Sequence, residues 1–329
     1  MRRLHELFAG DGAEIRETEF LIPGYKYYGG RPVRVNILAM GDVGATLAFA
    51  MKLTGSDVVS RIGICDISET LLSRWEQEMN QIVSPAGPDV LPPVLPLEQR
   101  QLFDCDVFVF CASRGVPDLS QTGVDVRMVQ LEKNRELISD YAASAVEAGL
   151  DGEFFVVSDP VDPLCLAAAK SGIAPQRIQG FGLGVMNGRA AYYARKAGCA
   201  AGHAAAASKY LTEGRVFGPH GEDLVVANSI ADYDDEASRE LTRLTTSANL
   251  KIRELGFKPY VAPAVSSGAL SILENLRGNW HYSSAWFGGA FLGMRNRRCE
   301  EGLLVEDLPL DDRLFERIER AYRALEELG

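Results

Sequence analysis

Positive charge is the first thing this sequence is short of. Thirty-four Lys and Arg stand against 45 Asp and Glu, a formal net charge of −11 over 329 residues. An acidic surface repels phosphate backbones, which argues against a nucleic-acid partner. No apolar run approaches the ~20 residues that span a bilayer, so a membrane partner is not expected. The start, Met1-Arg2-Arg3-Leu4-His5-Glu6, is basic but leads into charged residues rather than a signal-peptide core. Cysteine is sparse and scattered: Cys65, Cys105, Cys111, Cys165, Cys199 and Cys299 form no CxxC pair, and most sit in apolar runs. Buried free thiols are the expectation, with neither a disulfide framework nor a metal site, and a reducing cytoplasm follows as the default location. There are only four histidines: His5, His203, His220 and His281.

What is present reads as a folded two-domain chain. Hydrophobic residues make up 47% and charged residues 24%, ordinary for a globular protein. Residues 1–32 read as an arm rich in Gly and Tyr, either a loose tail or a contact on another subunit. From Val33 the pattern alternates. Val33–Leu38, Arg61–Cys65, Asp106–Cys111 and Glu153–Val157 read as buried strands. Val43–Leu53, Glu69–Ile82 and Val126–Ala148 read as helices, and the proline-rich 85–97 as a surface crossover. Continuous apolar strands between helices predict a parallel sheet covered on both faces, an α/β doubly wound domain over 33–175. An α+β domain is expected over 176–329, with helical stretches at 190–207, 236–255 and 265–276. A capped C-terminal helix buries Leu314, Phe315, Ile318, Tyr322 and Leu325.

The first strand runs into Ala39-Met40-Gly41-Asp42-Val43-Gly44. A dinucleotide-binding Rossmann turn has Gly-x-Gly-x-x-Gly here. The middle glycine lets the main chain approach a pyrophosphate and the last lets helix pack on strand, and both are present. The orphan amides of the following helix supply an anion site. Asp66 ends the second strand, 25 residues after Gly41. An acid there accepts from a ribose diol and repels a 2′-phosphate, favouring NAD over NADP; the alternative is that it caps the next helix.

Further motifs appear in order. They are Val43-Gly44-Ala45-Thr46-Leu47-Ala48, Val157-Ser158-Asp159-Pro160-Val161-Asp162, Arg177-Ile178-Gln179-Gly180-Phe181-Gly182, Gly218-Pro219-His220-Gly221 and Ser271-Ile272-Leu273-Glu274-Asn275-Leu276. Together they resemble the L-lactate/malate dehydrogenase family, of which the chain looks like a divergent member. The resemblance implies hydride transfer between NAD(H) and a small 2-hydroxy or 2-oxo acid, and a homodimer or homotetramer. It makes His220 the proton donor and acceptor, Arg127 the loop cation that polarises the carbonyl, and Arg189 the carboxylate binder. Arg189 lies nine residues after Gly180; a guanidinium fork there would fix a carboxylate with two parallel hydrogen bonds. For Arg127 and Arg189 the alternative is a solvated helix arginine. Arg114, in a loop longer than the family's, is a candidate for reading the substrate's tail. The cofactor side is assigned to Gly41, Asp42, Val43, Gly44, Asp66, Ala112, Ser113, Asn134 and Ser158.

Four positions depart from the family. Ala39 and Ser113 stand for glycines, Asp159 for an asparagine that contacts substrate, and Met186 for the aspartate that orients the histidine. A methionine can neither fix an imidazole tautomer nor stabilise its charge. Asp159 is therefore placed in the catalytic set with His220 and Arg127, one carboxylate taking over part of the other's task. An oxygen of Asp159 is then expected roughly 3 Å from a ring nitrogen of His220. The alternative is that Asp159 only caps the turn before Pro160. A family-like protein that binds NAD(H) but has lost catalysis, serving as a binding or regulatory subunit, is the competing reading.

Overall fold

The computed structural model describes residues 1–114, 126–197 and 209–328. The alternating pattern folds as its apolar strands require. Parallel strands β3 (Val33–Leu38), β4 (Val59–Cys65), β5 (Val94–Pro96), β6 (Val107–Phe110), β7 (Glu153–Val156) and β8 (Ile178–Gly180) lie in the order β5-β4-β3-β6-β7-β8. Helices α1 (Asp42–Thr54), α2 (Glu69–Asn80), α3 (Val126–Glu147) and α4 (Val161–Lys170) link them. This is the doubly wound order, and the chain reverses direction across the sheet between β3 and β6. β6, Val-Phe-Val-Phe, has every side chain at 0% exposure. That is the mark of a strand covered on both faces, each such side chain contributing roughly 1.5–3 kcal/mol.

Two strands differ from the sequence expectation. β5 lies inside the stretch read as a surface crossover; Pro92, Pro93 and Pro96 mask it, and an edge strand tolerates proline. β8 falls beyond the expected boundary at 175, yet pairs parallel with β7 and completes the sheet.

The second half adds an antiparallel sheet to the same edge. β11 (His281–Trp286), β12 (Phe291–Cys299) and β13 (Gly302–Glu306) follow β8, joined through Ser284 opposite Gly180. Helix α5 (Leu183–Ala197) starts directly after β8, earlier than the expected 190, and a hairpin of β9 (Arg215–Phe217) and β10 (Val225–Ala227) packs beside it. The expected helix at 236–255 is two, Asp235–Thr246 and Ala248–Glu254. The expected helix at 265–276 is a π-helical stretch, Pro263–Leu270, running into Ser271–Arg277.

The arm is not a loose tail. Its strands β1 (Glu14–Ile15) and β2 (Glu19–Pro23) extend the sheet beyond β13, and Leu4, Leu7, Phe20, Ile22 and Tyr25 are buried in the C-terminal core. His5 Nδ1 lies 2.6 Å from Asp307 Oδ2, closing the latch.

Cys65, Cys105 and Cys165 are buried, Cys111 and Cys299 half-buried, all as free thiols. Cys199 and His203 lie outside the described residues. No described helix is long and apolar enough to cross a membrane. Among the described residues no cluster of His, Cys, Asp or Glu could hold a metal ion.

Candidate active site

The turn after β3 is shaped by its small residues. A Cβ on Gly44 would lie 2.0 Å from the Ala39 carbonyl oxygen, so only glycine lets α1 start this close to the strand. A Cβ on Gly41 would meet nothing within 4 Å, which leaves open space over the loop. Gly41 caps α1 without a side-chain hydrogen bond, so the helix's first amides keep no side-chain acceptor from the cap. Ala39 stands where the family has its first glycine and still adopts φ 72°.

At the end of β4, Asp66 is half-buried. Its Oδ2 accepts the Met40 amide at 2.7 Å and its Oδ1 the Ser68 amide at 2.9 Å. The carboxylate thus ties the phosphate loop to the start of α2, and Ile67 beside it is 99% exposed. Ser68, not Asp66, caps α2, accepting from the Leu71 amide. Trp75 in α2 donates its indole N–H to the Met40 carbonyl at 3.1 Å. Asp42, in the first turn of α1, pairs with Lys258 at 3.0 Å. Lys258 escaped the sequence reading, since nothing in the sequence links residues so far apart. An open glycine, uncapped helix amides and an acid at the neighbouring strand end are what a dinucleotide needs, and these residues fit one.

Asn134 and Ser158, assigned to the cofactor from sequence, are buried at 0% and 7%. Asn134 Oδ1 accepts the Arg114 amide at 2.8 Å, and its Nδ2 donates to the Asp159 carbonyl at 2.9 Å. Ser158 Oγ donates to the Ala112 carbonyl at 2.7 Å. Both side chains are spent on joining the ends of β6 and β7, so they shape the floor of the cleft from below. Ala112 and Ser113 lie at the end of β6, facing the turn at 39–44 across the reversal point. Arg114 is exposed, and its charge acts on Tyr141, as does that of Asp66. It is not among the charges acting on Asp159. Its main chain is held by Asn134. The side chain of Arg127 and the loop at 115–125 lie outside the described residues.

The chemistry-bearing groups come together at the start of α4. Asp159 precedes it, and the β9–β10 loop presents His220 to it. Gly218 takes φ 86° and donates its amide to the Gly293 carbonyl at 2.9 Å, which turns the chain sharply before Pro219 and His220. His220 Nδ1 lies 3.1 Å from Asp159 Oδ1. The other ring nitrogen, Nε2, is buried and has no hydrogen-bond partner among the described residues. The Asp159 carboxyl is 63% exposed. Burial tends to raise it, but the charge and hydrogen bond of His220, helped by Arg189, hold it below the usual carboxylate range.

Arg189 and Met186 are one turn apart on α5. The Arg189 guanidinium has no carboxylate within ion-pair distance among the described residues; its hydrogen-bond contact is the Met186 thioether, at 3.6 Å. Burial lowers its pKa, against the opposing pull of Asp159. Ser267, from the π-helical stretch, fixes the start of α5: its Oγ accepts the Val185 amide at 2.8 Å and donates to the Gly182 carbonyl at 2.7 Å. No sequence signal marks Ser267, because its role arises only where two helices meet.

Comparison with known proteins bears on the fold and on its first half. Residues 33–180 match the family model for the lactate/malate dehydrogenase NAD-binding domain. L-lactate dehydrogenase 1 of Lactobacillus acidophilus is 30% identical over 161 residues, 48% of this chain and 46% of that one. L-lactate dehydrogenase 2 of Staphylococcus aureus is 28% identical over 162 residues, 48% and 47% of the two chains. The match thus spans about half the length of these relatives. Malate dehydrogenase from Archaeoglobus fulgidus, solved with NADH, shares the fold with a TM-score of 0.73 at 21% identity, over 90% of this chain and 98% of that one. A lactate dehydrogenase from a Medee basin deep-sea metagenome library gives 0.73 at 19%, over 91% and 98%. Residues 33–180 thus match the lactate/malate dehydrogenase NAD-binding domain, and the fold of solved lactate and malate dehydrogenases continues through the cleft that holds His220 and Arg189.

Proposed function

We infer that this protein is an NAD-dependent oxidoreductase that moves a hydride between NAD(H) and a small 2-hydroxy or 2-oxo acid. The observation that carries the reading is the His220–Asp159 pair, which engages Nδ1 and leaves Nε2 without a partner. Bound NADH supplies the hydride at C2 of the acid. The uncapped amides of α1 and the open surface at Gly41 take the pyrophosphate, and Asp66 takes the ribose diol, which selects NAD over NADP. Arg189 grips the substrate carboxylate and orients C2. His220, with Nδ1–H donated to Asp159, carries its transferable proton on Nε2 and gives it to the C2 oxygen; oxidation runs the same transfer backwards. Arg127 serves as the cation that stabilises charge on that oxygen.

Asp159 supplies the carboxylate that position 186 lacks. It does so from the turn after β7 rather than from α5, and gives up the asparagine amide that would contact the substrate. The family habit extends the reading to a homodimer or homotetramer, which light scattering on the purified protein measures. The deciding experiment is NADH oxidation against a panel of 2-oxo acids beside a direct NADH titration followed by Trp75 quenching. Turnover with at least one acid supports the reading. NADH binding without turnover returns the chain to a regulatory subunit, the outcome that Met186 favours.

A further inference from the structure

A cation from the far half of the chain stands at the dinucleotide turn. Lys258 Nζ lies 3.0 Å from Asp42 Oδ2, joining residues 216 positions apart. Asp42 is the first residue of α1, directly after Gly41, so its carboxylate sits in the turn of helix whose amides favour an anion. An acid there suits the helix but repels a bound diphosphate. Lys258 answers that charge. Its side chain is 80% exposed and that of Asp42 49%, so water screens the pair and it adds little to the stability of the fold. The lysine is therefore free to leave the carboxylate for a stronger anion.

The main chain that carries Lys258 is held on both sides. Helix Ala248–Glu254 ends where Gly256 takes φ 85° and the Phe257 amide donates back to the Ile252 carbonyl at 3.2 Å. Pro259 follows Lys258 and restricts its backbone to extended forms. The Ala264 amide then donates to the Tyr260 carbonyl at 3.0 Å, at the start of the π-helical stretch. That stretch lies directly on α1: a Cβ on Gly268 would be 2.6 Å from Leu47 Cδ1. Lys258 thus reaches the turn from a backbone packed on the same helix, beside the open space at Gly41.

We propose that Lys258 is a cofactor-binding residue: Asp42 holds its ammonium beside the open turn, and on binding it exchanges that carboxylate for a pyrophosphate oxygen of NAD(H). The proposal rests on the dinucleotide reading of the turn and adds one side chain to pyrophosphate contacts that are otherwise main chain. An ammonium is a compact charge on a flexible stem, so it swaps one oxyanion for another without backbone movement. The swap leaves Asp42 unpaired next to the diphosphate. The two residues should therefore pull affinity in opposite directions.

The test is calorimetric titration of the full chain with NADH, ADP, inorganic pyrophosphate and adenosine. Lys258→Gln should weaken NADH, ADP and pyrophosphate about five- to tenfold and leave adenosine within about twofold. That loss should shrink between roughly 0.05 and 0.5 M salt, where screening removes the lysine's advantage. Asp42→Asn should tighten the same anionic ligands about two- to fivefold. The double variant separates contact from neutralisation. A lysine that touches phosphate still matters without Asp42, so Lys258→Gln in the Asp42→Asn background should weaken binding about threefold or more. No change there, or unchanged binding in Lys258→Gln alone, overturns the proposal; the pair is then a surface tie between α1 and the π-helical stretch, and the dinucleotide reading stands. If the unmutated protein binds none of NADH, ADP and pyrophosphate, the dinucleotide reading and the role of Lys258 fall together.

Discussion

The turn at residues 39–44 offers a ligand its main chain, whereas the cleft around His220 offers side chains drawn from three separate segments. In the turn, what matters is which positions lack a Cβ and which amides stay uncapped, and a six-residue stretch holds all of it. In the cleft, Asp159 arrives from the turn between β7 and α4, Arg189 from α5 and His220 from the β9–β10 loop. Two substitutions there, an acid lost at 186 and an acid gained at 159, leave a histidine with a carboxylate 3.1 Å from Nδ1. A main-chain site tolerates little exchange of position, because its parts are consecutive. A side-chain site can take the same group from a different strand, because only the end points of the side chains meet the substrate.

That contrast can be broken first at Arg189. Arg189→Leu should cut kcat/KM for a 2-oxo acid by ~10²–10³-fold, the usual cost of removing one partner of a desolvated charge pair, with NADH affinity unchanged. An unaltered kcat/KM would return Arg189 to a solvated helix arginine.

The junction between the halves gives the next largest effect. Burial lowers His281 to about 4. Its ring is neutral in the fold and takes a proton in the unfolded chain below about 6.5. Its contribution to stability is thus present above about 6.5 and fades as pH falls toward 4, by roughly 3 kcal/mol in all. Asp162 runs the other way: raised by burial to about 6, it costs stability at neutral pH and relieves that cost as pH falls toward the ordinary carboxylate value. The two offset each other between about pH 6 and 4. Asp162→Asn should therefore lose more Tm than the unmutated protein when calorimetry is moved from neutral to mildly acidic buffer. Equal slopes would mean that Asp162 does not titrate above the ordinary carboxylate range in the fold.

Asp159→Asn restores the family residue and should lower kcat by about 10–100-fold, as losses of a histidine's orienting carboxylate do. A rise in activity would mark Asp159 as a defect and strengthen the regulatory reading. On the main-chain side, Asp66→Ala should shrink the preference for NADH over NADPH by about tenfold, the worth of a charge-assisted hydrogen bond. Equal binding of both cofactors by the unmutated protein would remove the argument. The smallest effect belongs to Ala39. With φ 72° it sits in the left-handed region, at a cost of roughly 1–2 kcal/mol that glycine avoids. Allowing for glycine's extra chain entropy, Ala39→Gly should stabilise by about 0.5–1 kcal/mol, read as a rise in Tm.

Much of this was legible in the chain itself. The apolar strands Val33–Leu38 and Val107–Phe110, the glycines at 41 and 44 and the acid at 66 announce the parallel domain, because each is a local pattern with a local cause. β5 was hidden because prolines are poor strand formers except at an edge, and edges are not visible in sequence. The arm read as loose because its partner strand, β13, lies some 280 residues away. The tie between the Arg114 amide and Asn134 was hidden because it joins residues 20 positions apart.

The sequence by itself determined the doubly wound domain, the dinucleotide turn and the residue types available for proton transfer and anion binding. Periodicity and short motifs act over a few residues and need no distant partner. Only the tertiary structure decided that Asp159 meets His220, that Asn134 and Ser158 build the floor, and that Asp162 meets Ser284. Those contacts join residues between 25 and 122 positions apart, and their distances are set by the packing of α4 against β8 and the pairing of β8 with β11. Such geometry comes from how whole elements stack, which no stretch of neighbouring residues encodes on its own.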